Sequence, residues 1–196
     1  MFANRFTAFV DACTLASALR RNLLLTLAEA EFFRIRWSGQ VLAETERAIH
    51  AILSEKGFAD AAERARRAIA SMEAAFEEAA ATNYEKLLCV CDELPDPGDA
   101  HVVAAALKTQ ASVIVTENLK HFPAEQLAPL NLDVRSADVF IADTIALDHG
   151  KAVAAVRKMR ERFKKPEKTA EALLIDMEAA GLTASVDVLR PHALSL

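Results

Sequence analysis

One stretch constrains this chain more than any other. Pro95-Asp96-Pro97-Gly98-Asp99 opens the Ala/Val-rich run Ala100 to Ala106, and Ser112-Val113-Ile114-Val115 follows after a short turn. A brief run of β-branched residues with no polar alternation reads as a strand buried on both faces, the kind that parallel sheets contain. It ends in the polar corner Thr116-Glu117-Asn118, and open α/β sheets bind their ligands at the carboxyl ends of strands. The expectation is an acidic site, with Asp96 and Asp99 entering the helix that precedes that strand.

A second carboxylate arrives in the same way. Phe6-Thr7-Ala8-Phe9-Val10 is a short apolar run that stops at Asp11, so Asp11 is placed at a strand's carboxyl end. Glu44 lies on a helical stretch whose apolar positions include Val41, Leu42, Ala48, Ile49 and Ile52, which turns it inward along that helix.

The rest of the pattern alternates. Strands are expected at 6–11, 33–36, 86–91, 112–116 and 131–134, and helices at 18–30, 40–56, 60–80 and 99–109. Such alternation predicts an α/β fold with a mainly parallel sheet covered by helices. After Ser136 the style is purely helical, through 137–147, 149–163, a Lys165-Pro166 break, 169–180, Gly181 and 182–194. The division expected from this change is 1–135 and 136–196. Trp37 follows an apolar strand and is read as core, and the Asp60 to Ala81 stretch as a long projecting helix.

With 53% hydrophobic and 26% charged residues in 196, the chain can bury one core and carry an appendage. Three cysteines do not make a disulfide framework, and no stretch approaches the roughly 18 apolar residues of a membrane span. The first residues lack the apolar run of a signal peptide, so a reduced, cytoplasmic protein without a membrane segment is expected. The net charge of −5 is segregated: residues 151–168 carry +6 and the remainder −11. A basic helix of this kind suits a phosphate backbone, and it also suits a solvated face. Arg20, Arg21, Arg34, Arg36, Arg47 and Lys120 are expected to flank the acidic cleft.

Three segments together carry a family resemblance: Phe9-Val10-Asp11-Ala12-Cys13-Thr14-Leu15, Arg36-Trp37-Ser38 to Glu44-Thr45-Glu46-Arg47, and Pro95 to Ala106 with Thr116-Glu117-Asn118-Leu119-Lys120-His121-Phe122-Pro123. In this order they resemble the PIN-domain ribonucleases, in particular the VapC toxins of toxin–antitoxin pairs, over about residues 6 to 135. The resemblance implies a PIN-like three-layer α/β sandwich with a helical C-terminal extension, as in a larger VapC subgroup. It implies an endoribonuclease that uses Mg²⁺ or Mn²⁺ to hydrolyse RNA phosphodiester bonds and leaves a 5′-phosphate. The implied partners are an RNA substrate, a cognate antitoxin and a second copy of the chain.

Residue by residue, Asp11, Glu44 and Asp99 match the family's acidic positions, and Asn118 matches a fourth that is Asp or Asn. Asp96 is a further candidate ligand, and His121 stands where many relatives have another Asp. Thr14, Arg20, Arg47 and Thr116 are candidate substrate contacts. Converging carboxylates repel unless a cation neutralises them, and an oxygen-only ligand set selects hard ions. Bland alternatives stand beside these roles. Asp99 fits an N-cap, Glu44 a solvated helix face, Thr14 and Thr116 caps, and His101 a helix-surface or satisfied core histidine.

Other chemistries fit less well. A haloacid-dehalogenase-type phosphotransferase needs an Asp where Cys13 stands, and a cysteine phosphatase needs an Arg at position 19, which is Leu19. Cys89 and Cys91 alternate like strand residues, and five glycines leave little room for a phosphate loop. Two rivals remain: a PIN-like scaffold that binds RNA or a protein without cutting, and DNA as the substrate.

Overall fold

The computed structural model describes residues 6–91, 94–164 and 166–196. In chain order the regular elements are β1 (Thr7–Val10), α1 (Ala12–Ala16), α2 (Ala18–Glu29), β2 (Arg34–Ser38), α3 (Gly39–Glu55), α4 (Ala61–Ala75), β3 (Ala80–Ala81), α5 (Ala100–Lys108), β4 (Val113–Val115), α6 (Ala124–Leu127) and β5 (Asp133–Arg135). Four helices follow: α7 (Ala137–Leu147), α8 (His149–Glu161), α9 (Ala170–Ala179) and α10 (Thr183–Leu189). These residues fold as two compact units, one made of 6–17 with described residues of 34–135 and the other of 18–33 with described residues of 136–196.

The first unit is built on a five-stranded sheet in the order β3-β2-β1-β4-β5, with every pairing parallel. Phe9, Val10, Ile114 and Val115 are sealed from solvent, as expected for strands covered on both faces. Helix α5 packs on β1, β2, β3 and β4, and its run from Val102 to Ala106 is buried without exception. Small side chains on α5 let it lie close to the strands. Helix α3 starts at the hydroxyl of Ser38, which accepts from the Val41 N–H at 3.1 Å, and packs against α1, β2 and α4.

The order of strands creates the important feature. From β1 the chain moves to β2 and β3 on one side, then returns to place β4 on the other. The crevice between the ends of β1 and β4 is therefore the topological switch point, where open parallel sheets bind ligands.

Two expectations are corrected. Residues 86–91 are not a strand: Glu85–Val90 is a 3-10 helix with Cys91 at its end, and the outer strand is Ala80–Ala81 against Trp37 and Ser38. A short apolar run carries no period that separates strand from helix, and here the Cys91 N–H closes on the Leu88 carbonyl at 3.0 Å. Cys89 is exposed and Cys91 buried. Nor does α4 project, since Ala61, Ala65, Ile69 and Met72 form one buried stripe and the helix packs along α3. Trp37 is core, fully buried and edge-on to Phe76 with centroids 6.0 Å apart.

The second unit is helical. Leu23, Leu24 and Leu27 of α2 are buried, and this helix packs against α7 and α8. The sequence division at 135/136 leaves residues 18–33 with the first region; by packing they lie with 136–196. Three of its helices have a side-chain cap: Ser136 for α7, Asp148 for α8 and Thr169 for α9. Helix α9 ends where Gly181 adopts φ +78°, a left-handed backbone that other residues adopt at a cost. Asp138 of α7 accepts from the N–H groups of Ala184 and Ser185 at 2.9 and 2.8 Å, so one helix caps the start of another.

Much of the positive charge at 151–168 is engaged inside this unit. Arg162 bonds Glu29, Arg157 bonds Glu161, Lys168 pairs with Asp176, and Lys151 lies 4.7 Å over the Phe32 ring. Lys165 lies outside the described residues. Among the described residues no helix is long and apolar enough to cross a membrane.

Candidate active site

Asp11 stands directly after β1, and the strand geometry carries it to the crevice. Its N–H donates to the Val115 carbonyl at 3.0 Å, continuing the ladder one residue beyond β1. The side chain is only 4% exposed. One carboxylate oxygen accepts from the Ala12 N–H at 2.6 Å, and the other accepts from the Thr116 hydroxyl at 2.7 Å and the Cys13 thiol at 3.1 Å. A buried carboxylate needs such donors, because isolated it would be strongly destabilised.

Thr116 organises the corner after β4. Its hydroxyl proton is committed to Asp11, and its oxygen accepts from the Asn118 N–H at 3.1 Å. The Asn118 side-chain amide has no hydrogen-bond partner among the described residues. Thr14, expected as a substrate contact, is fully buried, and its hydroxyl donates to the Val115 carbonyl at 3.4 Å. That bond pins α1 to the strand end and leaves Thr14 no surface to offer a ligand. Cys13 joins the same cluster, and its thiol is pushed up to about 11 by burial and by the charge of Asp11.

Asp99 precedes α5 in the N-cap position, yet its side chain makes no cap hydrogen bond. Its Oδ2 lies instead 2.7 Å from His121 Nδ1. Burial raises the Asp99 carboxyl above the ordinary range; the bond to His121 opposes this, and the charges of Asp11 and Asp96 add to it. Asp96 has one oxygen on the Gly98 N–H at 2.8 Å and the other 3.6 Å from His121 Nδ1. A Cβ at Gly98 would sit 3.0 Å from that first oxygen, so the turn needs a glycine to leave Asp96 in place. Asp96, Asp99 and His121 each offer a ligand atom within 4.8 Å of the others.

Glu44 meets His101, which the sequence offers as a helix-surface or satisfied core histidine. His101, two positions beyond Asp99 on α5, is 5% exposed, and its Nε2 lies 3.3 Å from Glu44 Oε1. No local pattern links positions 44 and 101. Only the packing of α3 and α5 on one sheet brings them together.

The expected basic rim is only partly assembled. Arg47 is exposed beside Glu44, 4.0 Å from its Oε1, and Lys120 is exposed in the turn Leu119–His121. Arg34 and Arg36 open onto a pocket with Phe6, Thr7, Thr109, Gln110 and Ser112, around the starts of the strands rather than their carboxyl ends. Arg20 belongs to the helical unit, where its guanidinium donates to the Ala180 carbonyl at 2.9 Å.

A family model described as PIN domain matches residues 7–120, more than half of the chain. The chain belongs to the PIN domain family. Beyond the PIN domain, a model described as VapC50 C-terminal domain matches residues 137–191, which takes in the helices from α7 to α10. The chain is also similar to the Mycobacterium tuberculosis protein named "Putative ribonuclease VapC50", at 38% identity over 76 residues. That alignment covers 39% of this chain and spans 45% of the relative's length. This is therefore a VapC-like PIN protein with a helical C-terminal extension. No solved structure gives a significant match.

The oxygen-rich donor set fits a hard divalent cation. Burial raises the Asp99 carboxyl and the charges of Asp11 and Asp96 add to it; a cation there would relieve that added repulsion. His121 adds one nitrogen to the set.

Proposed function

We propose that this PIN protein is a divalent-metal-dependent endoribonuclease, the toxin of a toxin–antitoxin pair, with Asp11, Glu44, Asp99 and Asn118 as its catalytic set. Residues 1–135 carry the chemistry and 136–196 are the helical extension. The observation that supports this reading most is the gathering of Asp96, Asp99 and His121, with ligand atoms within 4.8 Å of one another, near Asp11, whose charge acts on Asp99. The relative's name contributes the word ribonuclease.

Asp11, Glu44, Asp99 and Asp96 would hold Mg²⁺ or Mn²⁺. When bound, such an ion neutralises charge building on a phosphate and makes a water acidic enough to act as a nucleophile. The chain's own work is to orient. The Ala12 N–H and the Thr116 hydroxyl hold the two oxygens of Asp11, and the Thr116–Asn118 bond sets the turn that presents the Asn118 amide. Arg47, exposed on α3, is placed to contact a backbone phosphate. RNA and a cognate antitoxin are the partners, and the setting is cytoplasmic.

The test uses total cellular RNA with Mg²⁺, Mn²⁺ or EDTA, wild type against Asp99→Asn, with new 5′ ends mapped by sequencing. Discrete ends carrying 5′-phosphates are expected only with metal, and the substitution lowers cleavage by about 100-fold or more. The His121 bond to Asp99 favours one second reading, a scaffold that binds RNA or protein without cutting. Folded, antitoxin-free wild type that leaves RNA intact would select it.

A further inference from the structure

We infer that His101 is a positioning residue for Glu44, holding one oxygen of its carboxylate so that the other is left to the cation. The inference rests on the proposed nuclease reading and deepens it.

The hydrogen bond and ion pairs that Glu44 makes among the described residues all fall on the same atom. His101 Nε2 and Gln40 Nε2 both lie 3.3 Å from Glu44 Oε1, and Arg47 lies 4.0 Å from it. Oε2 has no partner among the described residues. A carboxylate fixed through one oxygen keeps its plane and direction, and the second oxygen is then presented without the entropy of a free side chain.

His101 is an expensive way to fill its position. Its neighbours Val102 to Ala106 are all apolar and fully buried, and His101 itself is 5% exposed. Its Nδ1 is buried without any hydrogen bond, a loss that an apolar side chain of similar volume would not incur. The 3.3 Å approach of Nε2 to Glu44 Oε1 is the polar contact that explains an imidazole here. Of the two ring nitrogens, Nδ1 has no hydrogen-bond partner and Nε2 faces Glu44 Oε1 at 3.3 Å. Helix α5 thus supplies the site twice: Asp99 directly at its start, and Glu44 through His101 one half-turn later.

The experiment is a double-mutant cycle read by Mn²⁺ titration calorimetry and by RNA cleavage, on the full chain. The proteins are wild type, His101→Phe, His101→Gln, Glu44→Gln and the two double variants. His101→Phe keeps the ring and removes the donor. It is expected to weaken Mn²⁺ binding and lower kcat by about 10- to 100-fold, as other partners of metal ligands do, with little change in KM for RNA. His101→Gln, which keeps an N–H, recovers most of the loss. In the Glu44→Gln background neither change at 101 has further effect.

Folded His101→Phe that binds Mn²⁺ as wild type does overturns the proposal. So does a loss of the same size in the Glu44→Gln background, which places His101's role elsewhere. If His101→Phe does not fold, the cycle between His101→Gln and Glu44→Gln carries the test, and strict additivity overturns the proposal. Wild type that neither binds Mn²⁺ nor cuts RNA fails the nuclease reading itself. Wild type that does both while His101→Phe does both equally well fails only the positioning role.

Discussion

Asp11 engages both of its oxygens within its own unit, and the Cys13 thiol belongs to that arrangement. Two forces oppose forming a thiolate there, burial and the charge of Asp11, and they leave the thiol protonated until the pH nears about 11. Only the thiolate is a strong nucleophile. Iodoacetamide at pH 8 is therefore expected to alkylate the exposed Cys89 and to spare Cys13 and the buried Cys91, with Cys13 reacting only as the pH is raised toward 11. Peptide mass mapping checks this, and prompt labelling of Cys13 at pH 8 would show that the Asp11 cluster opens readily. Asp11, Asp96, Asp99 and Thr116 were legible in the sequence because each sits at the border between an apolar run and a polar corner. The link from His101 to Glu44 was not, because it joins two helices through the fold rather than through spacing. Thr14 is ambiguous in the sequence for a related reason: a threonine just after a strand end looks the same whether its hydroxyl meets a ligand or, as here, a strand carbonyl.

At the level of elements, β1, α5 and β4 declared themselves through apolar runs, whereas β2 alternates charged and apolar residues from Arg34 to Trp37. Strand β3 did not, because two alanines carry neither period nor β-propensity; pairing with Trp37 and Ser38 makes them a strand. The helix caps are similarly local, with one exception. The start of α10 depends on Asp138, whose carboxylate bonds the N–H groups of Ala184 and Ser185 and the buried Ser185 hydroxyl. Asp138→Ala strands these donors and is expected to cost about 1–3 kcal/mol, measured by urea denaturation. Asp143→Ala, on the same helix but exposed, serves as the control and should stay within about 0.5 kcal/mol of wild type. Equal effects of the two would remove the special place given to Asp138.

For the whole molecule, the change of style after Ser136 was visible in the sequence, whereas the membership of α2 was not. An amphipathic helix between two strands reads as a crossover, and nothing in residues 18–29 announces that Leu23, Leu24 and Leu27 are covered by helices from the far end of the chain. A protein cut after Arg135 leaves these leucines bare. It is expected to bind the dye ANS strongly and to self-associate, as exposed apolar faces do, even though the sheet and its acidic residues are all present. Sedimentation and dye fluorescence decide this, and a well-behaved monomer would refute it. The same arrangement bears on how the protein is made. On the ribosome, the strand that leads into Asp11 and the strand that begins at Arg34 emerge joined by a helix whose partners have yet to be translated. Its docking must wait for α7 and α8, and that wait prolongs the interval in which the nascent chain needs protection from aggregation.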